Sequence, residues 1–178
     1  MTAMTVVTDS KGKKFRIYKQ KTQVTCGPAS CLILWANVYN KDPVADEGGV
    51  IVLSKMFPKP WNMVTGAEIN NLSRVLANMA VRNTVTVCAN VHDLRQALHR
   101  KVQPNKPAIA FVAWEETSGA VLGHFVVIGA ADGIADTYTV LDPYYGLQEI
   151  GGMPFYYPYT TEPNPPSLKF TGAILTVD

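Results

Sequence analysis

Hydrophobic positions change period several times along this chain, and each change predicts an element. Ala29, Cys31, Leu32, Ile33, Leu34, Trp35, Ala36 and Val38 form a run that is apolar nearly all round, as expected of a helix buried in the middle of a domain. A capping-box pattern, Thr65-Gly66-Ala67-Glu68, predicts a second helix running to about Ala80, with Ile69, Leu72, Val75, Leu76 and Met79 on its inner face. Thr84 to Cys88 reads as a strand, Val91 to Lys101 as an amphipathic helix and Pro107 to Trp114 as another strand. The β-branched and aromatic run Gly123-His124-Phe125-Val126-Val127-Ile128-Gly129, bounded by glycines, predicts a buried strand. A turn at Asp132-Gly133 leads to a strand over Thr137 to Leu141, and Ala173 to Val177 reads as the last one. One buried helix first and most strands later is an α+β pattern. Two segments rich in aromatics and proline, Lys55 to Met63 and Met153 to Tyr159, are expected as covering loops, stiff enough to flank a cleft.

The chemistry begins at Cys26, where an extended segment, Gln20-Lys-Thr-Gln-Val-Thr, hands over to the buried helix. Pro28 suits the first helical position, because its missing N–H has no intrahelical partner there. Cys26 is thereby placed at a helix N-terminus, whose free N–H groups and positive dipole end favour thiolate, the reactive species, over thiol. Gly27 would let a substrate backbone approach closely, and Gly123 and Trp61 are further candidate substrate contacts.

A nucleophilic thiolate needs a base, and the chain offers three histidines. His124, at the mouth of a buried strand, can be held with one ring nitrogen facing the nucleophile. His92 and His99, on one amphipathic helix, are expected as ordinary surface residues. The base needs an orienting group for its second nitrogen. The strand ending at Leu141-Asp142-Pro143 supplies it, since a hairpin returns Asp142 to the neighbourhood of His124 and Pro143 holds Asp142 extended. Attack on a carbonyl creates an oxyanion, for which the Gln20 side chain and the Cys26 backbone N–H are the candidate donors. Gln23 is nearer in sequence and is the weaker candidate, being too close to fold back.

Gln20 six residues before Cys26, the string Cys26-Gly27-Pro28-Ala29, then Gly123-His124-Phe125-Val126-Val127 and Leu141-Asp142-Pro143-Tyr144-Tyr145-Gly146 together resemble the C39-like branch of papain-like cysteine peptidases, over roughly Phe15 to Gly146. The resemblance implies a papain-like α+β fold, with the nucleophile helix packed on an antiparallel sheet that carries the histidine and the aspartate. It also implies Gln20 as the oxyanion-hole residue. The best-known members are N-terminal domains of exporters and cleave leader peptides after a Gly-Gly pair. Here no stretch approaches the roughly 18 to 20 apolar residues that span a bilayer, so a stand-alone domain is expected and export-coupled cleavage is not supported. The pairs Gly48-Gly49 and Gly151-Gly152 are expected as turns rather than processing sites.

Composition narrows the setting. A chain of 178 residues, 47% hydrophobic, can bury one sizeable core, read as a flexible N-terminal arm over 1–14 and a single catalytic domain over 15–178. A net charge of +2 gives no reason to expect nucleic acid or a membrane as partner; the cluster Lys11, Lys13, Lys14, Arg16, Lys19 and Lys21 is expected as a solvated arm. Three cysteines without a C-x-x-C pair indicate neither a disulfide framework nor a metal site, and no cofactor is expected. Cys31 and Cys88 are expected as small core residues. The N-terminus lacks a secretory signal, so the chain is expected to be cytoplasmic as made, with delivery by a signal-peptide-independent secretion system left open.

The function expected is a cysteine peptidase acting on a peptide or protein through a thioester. An amidohydrolase or acyltransferase of the same architecture, such as a deamidase or a transglutaminase-like bacterial effector toxin, uses the same residue types. A non-catalytic peptide-binding module would have no need of all four groups. An inhibitor or immunity protein, of unknown identity, would be a further partner.

Overall fold

A computed structural model describes residues 4–115, 121–152 and 167–178. The chain opens with a hairpin: β1 (Thr5–Thr8) pairs antiparallel with β2 (Lys14–Ile17), Val7 opposite Phe15. Its turn is closed by Asp9, whose Oδ1 accepts the backbone N–H groups of Lys11 (3.0 Å) and Lys13 (2.7 Å). The described part of the expected arm is therefore strand and turn, for two physical reasons. Four β-branched residues in a row favour the pleated conformation. Bonds from Ser10 to Glu149 (2.6 Å) and from Lys11 to Asp132 (2.7 Å) then tie the turn to the main sheet. The basic cluster is likewise partly paired, with Arg16 on Asp42 and Lys21 on Asp46.

Helix α1 (Cys26–Tyr39) follows, and its apolar sequence is matched by burial: every residue from Cys26 to Leu34 is buried. Leu32, Ile33 and Leu34 are wholly inaccessible, each stabilising the fold by about 1.5–3 kcal/mol. The helix stops at Asn40, whose left-handed conformation (φ 51°) lets Lys41 N–H reach back to Ala36 O. Then come α2 (Glu47–Ser54), α3 (Ile69–Asn78), β3 (Asn83–Val87), α4 (Val91–Lys101), β4 (Ala108–Glu115), β5 (Val121–Asp132), β6 (Thr137–Asp142), β7 (Gly146–Gly151) and β8 (Ser167–Val177). The last six strands form one antiparallel sheet in the order β3-β8-β4-β5-β6-β7.

Strand alternation divides the core in two. Ile109, Phe125, Val127, Leu141 and Leu175 pack with α1 and with Leu72, Val75 and Leu76 of α3. Ala110, Val112, Val126, Ile128, Val140 and Ile174, the intervening residues, pack with Leu94 and Leu98 of α4. The result is the expected α+β architecture, with the Cys26-bearing helix packed against an antiparallel sheet. No described helix is long and apolar enough to cross a membrane.

Three local expectations fail. Thr65 does not cap α3, because its hydroxyl is taken by Asn62 Nδ2 (2.6 Å) in a turn closed by Asn62 and Gly66; α3 starts at Ile69. Gly48-Gly49 lies inside the first turn of α2, where Asp46 Oδ1 caps Gly49 N–H (3.0 Å). His99 is stacked on Tyr138, with ring centroids 5.4 Å apart, and its side chain is mostly covered. Cys31 is fully buried, as expected, whereas Cys88 is only partly so. Met153 to Tyr159 lies outside the described residues.

Candidate active site

Cys26 is the first residue of α1, so Pro28 stands third in the helix, still inside the turn whose N–H groups have no intrahelical acceptor. Thr25, the preceding residue, accepts Ala29 N–H on its carbonyl (3.0 Å). That bond fixes the plane of the Thr25–Cys26 peptide and hence the direction of the Cys26 N–H. One turn along α1, Ser30 Oγ donates to Phe125 O (3.1 Å), tying the helix to β5 beside His124.

The strand register brings the other two residues together. Val127 of β5 stands opposite Leu141 of β6, which sets Asp142 one position further along β6 and His124 three positions back on β5. His124 Nε2 lies 3.0 Å from Asp142 Oδ1, with both side chains almost completely buried. A carboxylate only accepts, so Nε2 carries the hydrogen and Nδ1 is the nitrogen left for the thiol. Cys26 is a hydrogen-bonding neighbour of the same ring. Burial pulls the imidazole down, but the charge and hydrogen bond of Asp142, joined by those of Cys26, outweigh it and raise His124 to about 10. Asp142 Oδ1 is itself held by the N–H groups of Tyr144 (2.7 Å) and Tyr145 (3.1 Å), in the turn that Pro143 begins.

The other two cysteines sit differently. Burial pushes the thiols of Cys31 and Cys88 up, away from thiolate.

Gln20 is buried and Gln23 exposed. The backbone N–H of Gln20 donates to Pro143 O (2.8 Å), which joins the segment before Cys26 to the turn after Asp142. Its side-chain Nε2 donates to Thr22 O (2.7 Å), committing one of two amide hydrogens. The three candidate substrate contacts have other occupations. A Cβ on Gly27 would lie 2.6 Å from Ala67 Cβ, and one on Gly123 would lie 2.6 Å from the Phe111 ring. The space that glycine leaves at each is thus used by the protein's own packing. Trp61 Nε1 donates to Val24 O (2.8 Å), so this ring pins its loop to the Cys26-bearing segment.

Glu47 is a buried neighbour of this segment that the residue pattern does not single out. It is 2% exposed, its two carboxylate oxygens are each 3.3 Å from Lys21 N, and the Thr25 side chain lies beside it. The signal available was Asp46-Glu47 ahead of Val50, a helix start with an acidic first turn. Among the described residues no group of three or more potential metal ligands occurs.

No family model and no curated protein matches the chain. Solved structures do. The peptidase domain of Streptococcus ComA, a bi-functional ABC transporter involved in quorum sensing, matches with a TM-score of 0.58 and 15% identity, covering 89% of this chain and 94% of that one. A double glycine motif protease from an AMS/PCAT transporter, solved in complex with its leader peptide, matches with a TM-score of 0.57 and 18% identity, over 99% of this chain and 94% of that one. In architecture, then, this chain is similar to the C39 double-glycine peptidase domains and shares their papain-like fold.

Proposed function

We propose that this protein is a cysteine peptidase that cleaves an amide bond of a peptide or protein. The observation that carries the reading is the buried His124–Asp142 pair at 3.0 Å with the Cys26 thiol on the same ring, at the N-terminus of a helix in a peptidase fold. In the mechanism, the Cys26 proton sits on His124 Nδ1, in a resting ion pair or by transfer as the sulfur attacks, and Sγ adds to the scissile carbonyl carbon, whose π electrons move to oxygen. The Cys26 N–H and the Gln20 side chain stabilise that oxyanion. His124 returns the proton to the leaving amine as the C–N bond breaks, leaving a thioester. Water, deprotonated by the same ring, releases the acid and the free thiol. Asp142 keeps Nε2 protonated and the ring aligned throughout. The natural substrate is proposed only as a peptide chain, to which Met63 and Val64, exposed in the loop that Trp61 pins to Val24, would offer apolar surface.

Cleavage profiling on a proteome-derived peptide library, with Cys26→Ala as control, tests this. New N-termini are expected with the wild type and none with the variant. Iodoacetamide is expected to label Cys26 at least about tenfold faster than Cys31 or Cys88. Ammonia release or crosslinking without chain cleavage would replace the peptidase by an amidohydrolase or acyltransferase. Turnover undiminished in Cys26→Ala would remove the mechanism altogether.

A further inference from the structure

Glu47 is a buried carboxylate that the mechanism above does not use, and its contacts bracket the segment that matters most to it. We propose that Glu47 is a positioning residue for the oxyanion-binding groups: from α2 it holds the Lys21 N–H next to Gln20 and abuts Thr25 next to Cys26, and so steadies the directions of the Gln20 side chain and the Cys26 N–H. This rests on the peptidase reading.

At one end, Glu47 receives the N–H of Lys21, the residue after Gln20, on both oxygens at 3.3 Å. At the other, the side chain of Thr25, the residue before Cys26, lies beside the same carboxylate and offsets part of its burial. Thr25 Oγ1 accepts Thr22 N–H (3.1 Å) and donates to Thr22 O (3.0 Å), which closes the segment on itself. The remaining anchors come from elsewhere: Trp61 holds Val24 O, and Pro143 O holds Gln20 N–H. Glu47 adds to these a contact from outside the segment, on α2.

Its placement is built. Glu47 occupies the first turn of α2, where the helix dipole favours a carboxylate, beside the Asp46 cap and the Lys21 ammonium on Asp46. Burial raises its carboxyl, a cost that Thr25 and the Lys21 bonds oppose. Oxyanion donors act through pre-set geometry, so a shift of the segment reduces transition-state binding without removing any donor.

The test separates this role from a general loss of structure. In Glu47→Ala, kcat for a library-derived peptide is expected to fall about 10- to 100-fold, less than or comparable to loss of one donor, with KM within about twofold. Alkylation of Cys26 by iodoacetamide, which puts no charge on a carbonyl oxygen, is expected to stay within about twofold of wild type. The aldehyde analogue of the same peptide provides the complementary reading. The Cys26 thiolate adds to its carbonyl carbon, the π pair moves to oxygen, and the oxygen takes the His124 proton, giving a hemithioacetal with its oxygen at the donors. Its affinity is expected to fall in Glu47→Ala by a factor similar to kcat. Glu47→Gln, which keeps an acceptor for Lys21 N–H, is expected to recover most of both losses. Should Glu47→Ala fail to fold by circular dichroism, Glu47→Asp, one methylene short of the same contacts, gives the same readout. Aldehyde binding preserved in the variant, or alkylation lost in proportion to kcat, overturns the inference alone. A wild-type protein that binds no aldehyde overturns the peptidase reading and this inference with it.

Discussion

Two histidine–carboxylate pairs stand out among the described residues, one on the sheet and one between α4 and the β5–β6 turn, and they are built differently. His124 faces Asp142 at 3.0 Å, both side chains are at most 3% exposed, and the second ring neighbour is a thiol. His99 is 3.8 Å from Asp136, with side chains 19% and 26% exposed, and the Tyr138 hydroxyl stands between them, 2.7 Å from His99 Nε2 and 3.1 Å from Asp136 Oδ1. The guanidinium of Arg95, 3.0 Å from Asp136 Oδ2, already answers that carboxylate. Asp142, by contrast, receives only His124 and two backbone N–H groups among its described bonds. A histidine beside an aspartate is therefore not a base in itself. What sets His124 apart is that its carboxylate meets no other cation among the described residues and its ring neighbours the Cys26 thiol.

Substituting both pairs gives the strongest break of that comparison. His124→Ala is expected to lower kcat on a cleaved peptide by about 10⁴-fold, and Asp142→Ala by about 10²-fold or more, since the aspartate orients the base without reacting. His99→Ala and Asp136→Ala are expected to stay within about twofold of wild type. Equal losses from the two histidines in steady-state assays would show that the geometric difference has no functional content.

Stability against pH sharpens the same contrast. The His124 imidazole is raised to about 10 in the folded chain against an ordinary value of 6.5, so the folded state holds its proton more tightly than the unfolded state. Its contribution is then full below about pH 6.5 and is lost as pH rises through about 10. The unfolding free energy of wild type minus that of His124→Gln, from urea titrations between pH 6 and 10.5, is expected to shrink by at least about 1.4 kcal/mol, one pKa unit. A difference that is flat or grows with pH contradicts the assigned Asp142 and Cys26 contacts.

The two pairs were also unequally legible in the sequence. The strands of His124 and Asp142 announce themselves as β-branched runs ending in glycine or Asp-Pro, and a hairpin between them leaves little freedom in where Asp142 goes. Asp136 stands in a turn at a positive φ of 51°, and nothing local says that α4 will bring His99 and Arg95 to it. Helix α2 was hidden for another reason: Gly48 and Gly49 carry the poorest helix propensity short of proline, and only burial of Glu47, Val50 and Ser54 on one face overcomes it. Glu47 was lost with it. Strands β1 and β2, four residues each, were too short to separate from a charged arm. Gly27 and Gly123 were visible as glycines, but local sequence does not say whether the space they free is filled by substrate or, as here, by Ala67 and Phe111.

The smallest effect tests the structural half of the comparison. In Tyr138→Phe the ring still stacks on His99 and stays in the core with Leu94 and Leu98, so packing is kept and only the hydroxyl bridge is lost. His99 Nε2 and Asp136 Oδ1 each lose a partner, but both side chains are part-exposed and water can replace it, while Arg95 continues to hold Asp136. The expected cost is about 1 kcal/mol of unfolding free energy, the net worth of an ordinary hydrogen bond, with kcat unchanged. A loss of several kcal/mol in denaturant titrations would mean that the bridge closes a cooperative network. A fall in kcat without a fall in stability would mean that the second pair communicates with Cys26, and the division of labour between the two pairs would have to be redrawn.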